Sequence, residues 1–118
     1  MVSFMLPSPI EIEEYVDARE RSPFKLWFDD LAPTQAVKVA FALDKIGRGA
    51  ASNVKGVGGG VLEYRIDAGP GYRIYFGRDG ERLVILLAGG TKRRQDADIA
   101  AAKSRWADYK ARKTRAER

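Results

Sequence analysis

Arg65 and Arg73 are the residues whose type and spacing best suit them to handle an anion. They lie in two runs, 61–67 and 72–78, in which apolar and polar residues alternate as they do in half-buried strands. Leu62, Tyr64 and Ile66 share one face with Tyr72, Ile74 and Phe76, which leaves Glu63, Arg65, Arg73 and Tyr75 on the other. If Ile66 pairs with Tyr72, Arg65 stands across from Arg73 and Glu63 across from Tyr75. Like charges opposed across strands repel, so this pair requires compensation. Either Glu63 or Asp67 neutralises it, or a bound anion does, since a planar guanidinium matches phosphate oxygens in bidentate fashion. Lys92, just beyond a third apolar run, can add a positive charge, and Lys55 can arrive from the preceding glycine-rich stretch. Tyr75 can stack a base or donate a proton, or simply pack.

The rest of the composition narrows the chemistry. The chain has no cysteine and no histidine, which excludes disulfides, thiolate nucleophiles, zinc sites of the usual kind and any histidine-based acid/base pair. No metal site or cofactor is expected, and anion chemistry falls to Arg, Lys, Tyr, Glu and Asp. The formal charge is +5 with a pI ≈ 9.6. That charge is segregated: residues 1–31 carry seven acidic and three basic side chains, 45–78 six basic and two acidic, and 92–118 ten basic and four acidic. A basic stripe of this kind concentrates polyanions, nucleic acid foremost.

The elements that position these residues can be read along the chain. Ile10, Ile12 and Tyr15 or Val16, interleaved with Glu11, Glu13 and Glu14, predict a short strand with an acidic outer face. Ser22-Pro23 reads as an N-cap followed by proline at the first helical position, opening a short helix through Leu31. Pro33-Thr34 starts a second helix to about Ile46, with Val39, Leu43 and Ile46 on its inner stripe. Residues 50–60 read as a mobile loop. Its GVGGG follows a helix and lacks a GK[ST] ending, so it fails the context of a phosphate-binding P-loop. Strands 61–67, 72–78 and 81–88 then form an antiparallel meander, with Asp79-Gly80 as a two-residue hairpin turn. A last helix carries Ile99, Ala102, Trp106 and Tyr109 on one face and ends in the basic KARKTRAER. A chain of 118 residues is the size of one domain, here 1–118. No apolar run approaches the roughly 20 residues that span a bilayer, and MVSFMLPSP lacks a basic segment followed by a long apolar one, so the expected location is cytoplasmic.

The runs GGVLEYRIDAGPGYRIYF, LVILLAGGTKRRQ and DIAAAKSRW resemble the RelE/ParE superfamily of bacterial toxins, and most closely its HigB-like branch of addiction-module killer proteins. The resemblance covers about 10–112, and its most specific part is ExR, then GxGYRIYF, then LLxGGxK. It implies an α+β, RelE-like fold: an N-terminal strand, two helices, a three-stranded antiparallel meander completing the sheet and a C-terminal helix. It also implies a type II toxin neutralised by a cognate antitoxin, expected to be a helix-turn-helix protein. Many members cut messenger RNA on the translating ribosome without a metal. By that resemblance Arg65, Arg73 and Lys92 match the family's basic active face, with Glu63 and Tyr75 as acid/base candidates and Lys55, Arg93 and Arg94 as RNA contacts. No residue matches the C-terminal tyrosine that RelE places near the scissile phosphate. Two other readings stay open: a ParE-like inhibitor of DNA gyrase without nuclease activity, and a non-toxic phosphate- or partner-binding module.

Overall fold

The computed structural model describes residues 10–49 and 52–117; MVSFMLPSP and residues 50, 51 and 118 lie outside the described residues. The first strand, β1, is Glu11–Glu14, and its glutamates are exposed as the alternation predicts. Helix α1, Pro23–Asp29, starts where the Ser22 side chain accepts a hydrogen bond from the Lys25 backbone N–H. That bond satisfies one of the helix's orphan donors, and Pro23 costs nothing at a position with no intrahelical partner. Helix α2, Pro33–Gly47, buries Val39, Ala42 and Ile46.

The 50–60 stretch departs from the expected loop. Residues Val54–Gly58 form a strand, β2, antiparallel to β3, Val61–Ile66. Its single valine per face, Val54 on one core and Val57 on the other, is too sparse a pattern to read as a strand among glycines of low strand propensity. Gly58, Gly59 and Gly60 all have positive φ, which lets the chain reverse there. The remaining strands are β4, Tyr72–Asp79, and β5, Leu83–Thr91. Asp79 pairs with Leu83, so the connection is a three-residue loop rather than the expected two-residue turn. Strand β5 also runs past Ala88 and takes Gly89 and Gly90 into the sheet. A 3₁₀ turn, Lys92–Arg94, leads into α3, Gln95–Ala116.

The result is a mixed α+β fold with a five-stranded sheet in the order β1-β5-β4-β3-β2, parallel between β1 and β5 and antiparallel elsewhere. The meander thus has four strands, not three. Helices α1 and α2 cover one face over Tyr64, Ile74, Phe76, Val84 and Leu86. Helix α3 lies on the other, where Ala102 and Trp106 pack with Val61, Tyr75, Ile85 and Leu87. A bulge between Tyr75 and Phe76 opposite β5 puts Leu87 and Ala88 together on the α3 side. The face that carries Glu63, Arg73 and Tyr75 is therefore roofed by a helix, and only its margin meets solvent.

Candidate nucleic-acid interface

The strand register is the one assumed from the sequence: Ile66 pairs with Tyr72, Arg65 with Arg73 and Glu63 with Tyr75. Two neighbouring rows cross the sheet under the start of α3. One runs Lys55, Glu63, Tyr75, Ala88, and the next runs Arg65, Arg73, Gly90. Their environments differ sharply. Arg65 is exposed, whereas Arg73 is 5% exposed and Glu63 and Tyr75 are fully buried.

Glu63 organises the buried row. One carboxylate oxygen accepts a hydrogen bond from Gln95 Nε2 at 2.7 Å; the other faces Arg73 Nε at 3.8 Å and Lys55 Nζ at 3.6 Å. Arg73 also donates from Nη1 to the Tyr72 carbonyl at 3.2 Å, and its Nε has no hydrogen-bond partner among the described residues. Lys55, expected on a mobile loop, is instead fixed on β2 with its exposed ammonium leaning toward Glu63. Both partners of the Arg73–Glu63 pair are buried, so removing either would leave the other an uncompensated buried charge.

The Tyr75 phenol lies in the same buried layer without a hydrogen-bond partner among the described residues. Burial first, then the Glu63 and Asp98 carboxylates, hold its ionisation far above the usual tyrosine range, and Arg73 opposes them only weakly. Arg73 therefore does not make Tyr75 a base near neutrality. Glu63, buried and ion-paired, is likewise withdrawn from solvent.

The exposed cations gather at the end of the sheet where β3 stops, β4 begins and β5 ends. Lys92 N–H donates to the Gly71 carbonyl at 2.8 Å. A Cβ placed on Gly71 would come within 3.4 Å of Arg73 Nη1 and 3.6 Å of Lys92 Cβ, so the Gly71 turn is where the buried arginine and the exposed lysine converge. Gly71 has φ +74, a conformation that favours glycine. Arg93 and Arg94 are exposed on the adjoining 3₁₀ turn, and among the described residues none of Arg65, Lys92, Arg93 and Arg94 is held in an ion pair. The structure thus brings Arg65, Arg73, Lys92, Arg93 and Arg94 to one margin, with Lys55 on the far side of Glu63.

Two residues outside the sequence reading complete the site. Gln95 fixes Glu63, and Asp98 stands over Gly90, where any Cβ would collide with its carboxylate. Burial raises the Asp98 ionisation although Arg94 and Arg105 pull it down, and its Oδ2 has no hydrogen-bond partner among the described residues. A signal for Gln95 existed: it lies four residues before Ile99 and so extends the helical stripe of Ile99, Ala102 and Trp106 backwards. Among the described residues no group of His, Cys, Asp or Glu converges so as to hold a metal ion, and no helix is long and apolar enough to cross a membrane.

Residues 26–107 match the family model described as phage-derived protein Gp49-like (DUF891). The chain belongs to this family. It is a family of RelE-like toxins of toxin–antitoxin systems, in agreement with the superfamily resemblance of the hairpin motifs. The match begins within α1 and ends within α3, so it takes in the whole Arg65–Lys92 margin of this Gp49-like chain. A Haemophilus influenzae protein described as an uncharacterized protein is 40% identical over 81 residues, covering 68% of this chain and 82% of that protein.

Proposed function

We propose that this chain is the toxin of a type II toxin–antitoxin pair, close to the HigB-like branch, that it cuts messenger RNA on the ribosome without a metal, and that a cognate helix-turn-helix antitoxin neutralises it in the cytoplasm. The observation that carries the reading is the guanidinium of Arg73, held beside buried Glu63 at a margin where Arg65, Lys92, Arg93 and Arg94 are exposed. Preorganised positive charge of this kind acts where negative charge develops.

In the reaction, a ribose 2′-oxygen attacks the adjacent phosphorus and the bond to the 5′-oxygen breaks. The products are a 2′,3′-cyclic phosphate and a 5′-hydroxyl end. Arg65 and Arg73 bind the non-bridging oxygens through the phosphorane, and the Lys92 ammonium gives its proton to the leaving 5′-oxygen. The 2′-hydroxyl proton passes to solvent, since Glu63 and Tyr75 are buried.

That same burial favours a second reading, inhibition of DNA gyrase by binding alone, because it leaves no surface acid/base pair at the site. Induced expression with pulse labelling separates the two. An RNase toxin stops protein synthesis first and leaves 5′-hydroxyl ends on cut transcripts; a gyrase inhibitor stops DNA synthesis first. Co-expression of the neighbouring reading frame should restore growth in either case.

A further inference from the structure

The outer face of α2 carries an aromatic side chain with no role in the core. Phe41 is 65% exposed and Val37, one turn earlier, 53% exposed, while Val39, Ala42 and Ile46 face inward. Phe41 borders a cleft that continues to the end of β3 and is lined also by Lys38, Lys45, Asn53, Arg65 and Asp67. Lys38, Lys45 and Arg65 are exposed, and none is held in an ion pair among the described residues. Arg65 therefore belongs both to this cleft and to the row that contains Arg73.

The geometry points to this cleft as a nucleotide subsite: Phe41 stacks one unpaired base of a single-stranded RNA, and Lys38 and Lys45 hold the flanking phosphates as the strand leaves Arg65. The inference rests on the RNA reading of the Arg65–Arg73 margin. Single-stranded nucleic acid is bound where a basic groove tracks the backbone and an aromatic side chain offers its face to a base. The cleft has both parts, in continuity with the site where a phosphate would react. The remaining polar residues fit a base edge, since the Asn53 amide both donates and accepts and the Asp67 carboxylate accepts from an exocyclic amine. Phe41 is the one large, mostly exposed apolar side chain on this cleft, far less than a stable protein interface buries.

The test is fluorescence anisotropy of the full chain with a labelled 2′-O-methyl oligoadenylate of about ten nucleotides, a single strand that cannot undergo 2′-oxygen attack. Phe41→Ala should weaken binding about tenfold, whereas Phe41→Trp should keep it within about twofold. The Lys38→Gln/Lys45→Gln double variant should lower the slope of log affinity against log salt by about 1.4. All three sites are exposed, and unchanged thermal melting will confirm that the variants fold. Equal binding by Phe41→Ala and parent overturns the inference. So does a result in which Phe41→Ala loses affinity for poly-glutamate but not for the oligonucleotide, which would make the cleft a protein-docking site. Translation arrest is measured separately: arrest with Phe41-independent RNA binding refutes only the subsite, and Phe41-dependent binding without arrest refutes only the toxin chemistry.

Discussion

Arg65 and Arg73 stand directly opposite each other on β3 and β4, yet one is in solvent and the other is 5% exposed beside the Glu63 carboxylate. The like-charge repulsion of this pair is thus relieved unequally. Glu63 offsets part of the charge of the buried member and holds it at the margin, while the exposed one meets solvent directly.

This asymmetry separates stability from activity. Arg65→Ala should leave unfolding free energy within about 0.5 kcal/mol of the parent. Arg73→Met should cost about 3 kcal/mol, the low end for a broken buried pair, because Gln95 and Lys55 still attend Glu63. Urea unfolding measures both. Each substitution should also lower RNA cleavage on the order of 10²–10³, the usual loss for one transition-state charge contact. Full toxicity in a folded Arg65→Ala variant would remove the assignment.

The shared face was legible from alternation: once Tyr64, Ile66, Tyr72 and Ile74 share a core, Arg65 and Arg73 must share the opposite face, whereas their direct pairing also needed a register that alternation leaves open by steps of two. What alternation cannot tell is whether that face meets water. Only the docking of α3 through Ala102 and Trp106 places Glu63 and Tyr75 under a roof, and that is a tertiary fact with no local trace. Strand β2 was hidden for a different reason. Its edge position is specified by pairing with β3, while its own residues, VKGVG, carry little strand preference. Gly90 looked like part of a loop, although it is a sheet position kept small for the Asp98 carboxylate.

That last contact gives a second prediction. Gly90→Ala places a methyl group where the Asp98 carboxylate sits and should destabilise by about 1–3 kcal/mol. Adding Asp98→Ala should recover at least about 0.5 kcal/mol of this beyond additivity, as expected for residues in direct contact. A thermal-melting double-mutant cycle gives the coupling, and additive effects would mean that the helix shifts instead.

Two carboxylates should give stability opposite dependences on pH. Burial raises the Asp98 ionisation, so its contribution is fullest below the ordinary aspartate value and is lost as pH rises through the higher folded value. Asp79 is held low by hydrogen bonds from Lys113 Nζ and the Tyr109 hydroxyl, each at 2.6 Å. Its contribution is present above the ordinary value and is lost as pH falls through the lower folded one. Melting temperatures across pH 2–7 should therefore show Asp98→Asn gaining on the parent toward neutrality. Asp79→Asn should be least stable relative to the parent near neutrality, the difference closing in acid.

Tyr75→Phe tests whether the buried layer takes any part in proton transfer. A phenol whose ionisation is pushed far up by burial and by two carboxylates cannot act as a base near neutrality and is a reluctant donor. Its hydroxyl has no hydrogen-bond partner among the described residues, so replacing it should change stability by no more than about 1.5 kcal/mol. Translation arrest by Tyr75→Phe should stay within about twofold of the parent, while Lys92→Gln, which removes the exposed ammonium beside the Gly71 turn, should lose on the order of 10² or more. If instead Tyr75→Phe falls as far as Lys92→Gln, the phenol must reach the scissile bond. The start of α3 would then have to lift from Glu63, breaking the Gln95 hydrogen bond, and Gln95→Ala should raise activity by making that opening easier.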